Sequence, residues 1–125
     1  MLGSADLVAF VPSEDLERSR VFYRDVVGLP LVDANPFAEV FDAAGTMLRV
    51  TRVDGFTPHG FTVLGWSVAD IGADVSALTD HGVIFERFAG MDQDELGIWE
   101  APGGDRVAWF KDPDGNLLSL TQVTP

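Results

Sequence analysis

Arg49 is the polar side chain whose setting points most directly to a ligand. In the run TMLRVTR at 46–52, strand alternation puts Met47, Arg49 and Thr51 on one face and Leu48 and Val50 on the other. If Leu48 and Val50 pack beneath a helix, the guanidinium faces the opposite side. There its planar fork can grip a carboxylate or carbonyl oxygen at two points. A structural Asp or Glu, or a contact between copies of the chain, would use the same charge without a ligand. The same parity places Val8, Phe10, Val63, Gly65, Ser67, Ser119 and Thr121 on the ligand side. Such a surface is largely apolar with a few orienting hydroxyls, which suits a small organic molecule. Phe37, Phe41, Trp99 and Trp109 could add stacking surfaces, although large aromatic residues in strands more often fill the core.

Other chemistries find little support. Cysteine is absent, which excludes disulfides, thiolate metal sites and cysteine nucleophiles. Of the two histidines, His81 sits in the last turn before Gly82, where an imidazole suits the negative end of a helix dipole. His59 lies in a link and reads as a solvated loop residue. A metal set drawn from His59, Glu39 and Glu100 has no spacing to support it. Asp92, Asp94 and Glu95 fall in an acidic loop, so their separation cannot mark an acid–base pair. No G-x-S-x-G occurs, and the glycines punctuate turns rather than forming a phosphate loop. No catalytic residue is identified.

The elements that must position these residues are repeated. FDAAGTMLRVT at 41–51 and KDPDGNLLSLT at 111–121 match at Asp42/Asp112, Gly45/Gly115, Leu48/Leu118 and Thr51/Thr121, an offset of 70. The helical parts, 9–32 and 66–87, echo each other at offsets of 55 and 54, through Asp15/Asp70 and Gly28/Gly82. The growth in offset places an insertion in the second copy, near 88–103. In the first copy LVAFV is a strand, Ser13 caps a helix with Glu14, Asp15 and Glu17 in its first turn, and Leu16, Phe22 or Tyr23, and Val26 form its buried stripe. Gly28 ends that helix. Strands follow at LPLVD, AEVFD and TMLRVTR. In the second copy TVLGWSV is a strand, Asp70 caps a helix with Ile71, Val75 and Leu78 inward, and Gly82 closes it. VIFERF, GIWEA, RVAWF and LLSLTQ then read as strands, and Met91–Glu95 as a loop.

The expected fold is therefore α+β. It is one domain over 1–125, built of two tandem βαβββ modules at about 5–54 and 61–123, whose eight strands form a curved sheet with a shared trough. A chain of this length can bury roughly two thirds of its unfolded surface. A net charge of −12, with eight basic residues against twenty acidic ones, leaves no basic stripe to displace counterions from nucleic acid. No apolar run is long enough to span a membrane, and MLGSADLVAF lacks the basic start of a secretory signal. A cytoplasmic location is expected. The acidity reads as a solvated surface or as a field that attracts a cationic small molecule.

With these modules in place, DLERSRVFYRDVVGLPL at 15–31, GWSVADIGADVSALTDHGV at 65–83 and WFKDPDGNLLSLTQ at 109–122 resemble the vicinal oxygen chelate superfamily of glyoxalase I, extradiol dioxygenases and bleomycin-resistance proteins. The resemblance covers nearly the whole chain. It implies a homodimer and a ligand held in the trough of the sheet. It also implies a divalent metal held by four His or Glu side chains, one from the first and one from the last strand of each module. Those four positions fall on Val8, Arg49, Val63 and Ser119. Valine offers no ligand atom, and a guanidinium repels a cation. A slip of one residue yields leucine, valine or threonine and restores nothing. No metal and no cofactor is expected, and Arg49 would stand in the vacated place as a fixed positive charge.

Two functions follow from the resemblance. The first is a metal-independent binding protein for a small organic ligand, contacted by Arg49, Ser119, Thr51, Thr121, Phe10, Ser67 and Trp99. The alternative is an enzyme of the same superfamily, a lyase, isomerase or dioxygenase using recruited metal ligands. A protein-binding role through the dimerising edge is a third possibility. The identity of the ligand, the dimer arrangement, and whether 88–103 closes the trough are not contained in the sequence.

Overall fold

The computed structural model describes residues 1–125, in two compact units at 1–57 and 58–125. Each unit holds one four-stranded mixed sheet and one principal helix, so the fold is α+β with eight strands in two sheets.

In the first unit the strands are β1 (Val8–Ser13), β2 (Leu31–Ala34), β3 (Ala38–Ala43) and β4 (Thr46–Arg52), ordered β1-β4-β3-β2. β1 runs parallel to β4 with Phe10 opposite Arg49, and β3 runs antiparallel to β4 with Val40 opposite Arg49. Helix α1 (Leu16–Arg20) continues into a π-helical turn, Val21–Val26. Val11, Phe41, Leu48 and Val50 are buried on the helix side of the sheet with Leu16 and Tyr23. Each such side chain, fully buried, contributes about 1.5–3 kcal/mol.

The helix begins two residues later than the sequence suggests. Asp15, not Ser13, is the N-cap, accepting from the Arg18 amide at 3.1 Å. Ser13 is instead the buried last residue of β1, its hydroxyl 2.7 Å from that of Ser19. Glu14 and Asp15 therefore precede the first turn, which keeps Glu17. Of the expected stripe, Leu16 and Tyr23 are buried, whereas Phe22 and Val26 are only partly covered. Tyr23 packs edge-on against Phe22 and tilted against Phe41.

The second unit has β5 (Thr62–Ser67), α2 (Ile71–Asp80), β6 (Trp99–Glu100), β7 (Arg106–Lys111) and β8 (Leu117–Gln122), ordered β5-β8-β7-β6. Asp70 caps α2 through the Ala73 amide, as Asp15 caps α1. Ile71 and Val75 are buried. The repeated turn aspartates do the same work in both units. Asp42 accepts from the Gly45 amide, and Asp112 accepts from the amides of Asp114 and Asn116.

VIFERF is not a strand. It makes one bridge, Phe85 opposite Phe110, which repeats the pairing of Leu31 with Phe41 in the first sheet. Pairing with β7 resumes only at Trp99 opposite Val107. The insertion thus splits one strand of the second copy, leaving a bridge before it and two-residue β6 after it.

Candidate functional site

Strand parity holds in both sheets, so each has a face turned away from its helix. In the first sheet this open face carries Val8 and Phe10 from β1, Met47, Arg49 and Thr51 from β4, and Ala38 and Val40 from β3. Phe10 is 61% exposed, while Ala38 and Val40 are buried. Arg49 is half-buried among them. It makes no ion pair and no hydrogen bond within the chain. Asp42, also of β3 and opposite Met47, shares this face, and its carboxylate takes the Gly45 amide. Two residues on, the Thr51 hydroxyl is shielded from solvent and has no partner. Open-face polar groups of β4 thus remain unsatisfied within the chain.

In the second sheet the open face carries Gly65 and Ser67 from β5, Ser119 and Thr121 from β8, Val107 and Trp109 from β7, and Trp99 from β6. Trp99 and Trp109 are ring neighbours at 6.2 Å, and Phe88 meets Trp109 edge-on at 5.4 Å. This makes an aromatic corner beside the Ser67 and Thr121 hydroxyls. Ser119 is only 7% exposed. A Cβ at position 65 would lie 2.7 Å from the Ser119 oxygen, so glycine there leaves the room that serine occupies.

Arg49, Thr51 and Phe10 therefore share one face of the first sheet, and Ser67, Ser119, Thr121 and Trp99 share one face of the second. Phe41 lies on the helix side as core, and Phe37 is exposed at the β2–β3 turn. Val63 stands at an irregularity in the β5–β8 register. Sequence reading missed the contribution of Phe88. The signal was its proximity to the insertion, but a continuous strand at VIFERF hid it.

A family model described as the Glyoxalase/Bleomycin resistance protein/Dioxygenase superfamily matches residues 6–120. The chain belongs to this superfamily. Among solved structures, a member of the glyoxalase/bleomycin resistance protein/dioxygenase superfamily from Sphaerobacter thermophilus is 25% identical, covering 98% of this chain and 100% of that one with a TM-score of 0.76. An antibiotic-binding protein from Streptomyces sp. CB03234 is 28% identical, with 99% of each chain covered and a TM-score of 0.71. A lactoylglutathione lyase from Agrobacterium tumefaciens shares the fold at 21% identity and a TM-score of 0.71, covering 95% of this chain and 93% of its own. No curated protein matches the chain.

A divalent ion of the kind many glyoxalase-superfamily members hold does not fit the residues present. Val8, Arg49, Val63 and Ser119 supply neither carboxylate nor imidazole. Of the substitute set, Glu39 is 2% exposed, with both carboxylate oxygens taken by Arg20. His59 stacks on Phe61 at 4.9 Å. His81 directs Nδ1 to the Ala77 carbonyl at the end of α2.

Proposed function

We propose that the chain is a metal-independent small-molecule-binding protein that holds an organic ligand against the open face of its first sheet, with Arg49 as the fixed positive charge. The supporting observation is a half-buried arginine with no counter-ion within the chain, set between Phe10 and Val40 on a largely apolar face. Partial burial of an unpaired cation is unfavourable, and a carboxylate or carbonyl oxygen from a ligand would relieve it. Phe10 and Met47 supply apolar contact beside it. The open face of the second sheet, taken by itself, also offers hydroxyls and stacking surface, at Ser67, Thr121 and the Trp99–Trp109 corner, with Ser119 filling the space beside Gly65.

Binding is favoured over catalysis by the residue types on these faces. Serine and threonine hydroxyls without a neighbouring base are poor nucleophiles, and no acid–base pair stands beside Arg49. The description of the Streptomyces relative as antibiotic-binding agrees with this reading. A thermal-shift screen of anionic, neutral and cationic organic compounds, carried out in a chelator, tests it. The proposal expects stabilisation by anionic or carbonyl-bearing compounds that is lost in Arg49→Ala. Binding that appears only on adding a divalent metal would overturn it.

A further inference from the structure

On the helix side of the first sheet, opposite the Arg49 face, lies a cleft of about 250 Å³ lined by Glu17, Arg20, Asn35, Pro36, Glu39 and Arg52 among others. Three of its side chains, Arg20, Arg52 and Asn35, are each anchored by one part and leave donors uncommitted. Arg20 places Nε and Nη2 on the two oxygens of Glu39, at 3.2 and 2.8 Å, which leaves Nη1 free. Arg52 donates Nε to the Pro36 carbonyl at 3.1 Å, leaving both terminal nitrogens. Asn35 accepts the amides of Phe37 and Ala38 on Oδ1, at 2.9 and 3.0 Å. Those two bonds fix the orientation of the amide, so Nδ2 is the uncommitted end.

Each oxygen of Glu39 already takes one bond from Arg20, and Glu17 is the one carboxylate of the lining that takes none. Donors held rigidly by bonds that do not consume them form a preorganised anion site. We propose that this cleft binds a small molecule through a carboxylate or phosphate group, received by Arg52, Asn35 Nδ2 and the free edge of Arg20. The net charge of −12 opposes an anion at long range, so short-range forked donation has to carry the affinity.

The test is a titration of the isotopically labelled protein, separately with inorganic phosphate and with citrate, following the amides of Asn35, Phe37 and Ala38 by NMR. Saturable shifts with either probe support the site, and the probe that binds more tightly identifies the anion class. Asn35→Asp keeps the acceptor for the turn amides while replacing two donors by a negative charge. Asn35→Asp and Arg52→Gln should each weaken binding about tenfold or more, and Glu17→Gln should tighten it severalfold. No saturable shift from either probe at about 50 mM, or equal affinity in Asn35→Asp, Arg52→Gln and the parent chain, overturns the proposal. The result is independent of the Arg49 face, because Arg49→Ala leaves every cleft group in place.

Discussion

At the scale of single residues, the open face of β4 joins two unsatisfied groups of different kinds. Arg49 is half-buried and reachable, so a ligand can complete it. The Thr51 hydroxyl is closed off, so nothing does. Thr51→Val should accordingly raise stability by about 1 kcal/mol in chemical denaturation, because an unpartnered buried hydroxyl is removed with little change of shape. A loss of stability would show that the hydroxyl finds a partner in solution. Asp105 is the opposite case, with its carboxylate accepting both the amide and the hydroxyl of Thr124, at 2.8 and 3.0 Å. Those bonds, the backbone one first, hold its pKa below the ordinary Asp range. A depressed folded-state pKa contributes stability above the unfolded value, lost as pH falls through the folded one. Thr124 should therefore stay attached at neutral pH and detach only below about pH 4, with amide exchange at Thr124 as the readout. Detachment near neutrality would contradict the assignment. Arg49 was legible because alternation fixes a strand residue's face. The helix start was not, because Ser13 and Asp15 are equally good caps. In the fold the Ser13 hydroxyl is engaged with Ser19 and the Asp15 amide, and the Asp15 carboxylate takes the Arg18 amide.

At the scale of elements, the insertion is the feature that distinguishes the two units. The repeat offsets located it, and both helices, the Asp70 cap of the second and the glycines ending them were readable from local chemistry. VIFERF was not, since its composition is that of a strand and only the loss of pairing with β7 after Glu86 shows otherwise. The inserted loop is tied internally by Gln93. Its side-chain amide donates to the carbonyls of Glu86 and Gly97, and its oxygen accepts the Phe88 amide. Asp94 adds bonds from Leu96 and Ile98. Gln93→Ala should cost about 1–3 kcal/mol, expressed locally as faster exchange at Phe88 and Ile98 with the core of α2 unaffected. Since Phe88 abuts Trp109, the same variant should alter tryptophan fluorescence. Uniform loss of protection across the chain would show that the loop is integral to global folding instead.

At the scale of the whole molecule, twenty acidic residues against eight basic ones make self-repulsion a general property. Screening should relieve it, so the melting temperature should rise as salt is increased from about 0.01 to 0.15 M, over which the Debye length falls from about 30 to 8 Å. A fall would mean that specific ion pairs outweigh the repulsion. No helix is long and apolar enough to cross a membrane. Composition and pattern give the class of fold and the polarity of its faces, but not the ligand, because pocket chemistry depends on which side chains remain unpaired after folding. Arg49 is such a side chain, and Arg20, with its forked bond to Glu39, is not fully so.

The most direct measurement is calorimetric titration, in a chelator, of a carboxylate-bearing compound taken from the ligand screen and shown to occupy the Arg49 face. It compares the parent chain with Arg49→Ala and Arg49→Lys. A charge-assisted contact on a partly desolvated face is worth about 1.5–3 kcal/mol, so Arg49→Ala should weaken binding by about ten- to a hundredfold. Arg49→Lys should restore only part of it, because the fork is lost. Equal affinity in all three proteins would contradict the account and leave Arg49 as a charge with no part in binding.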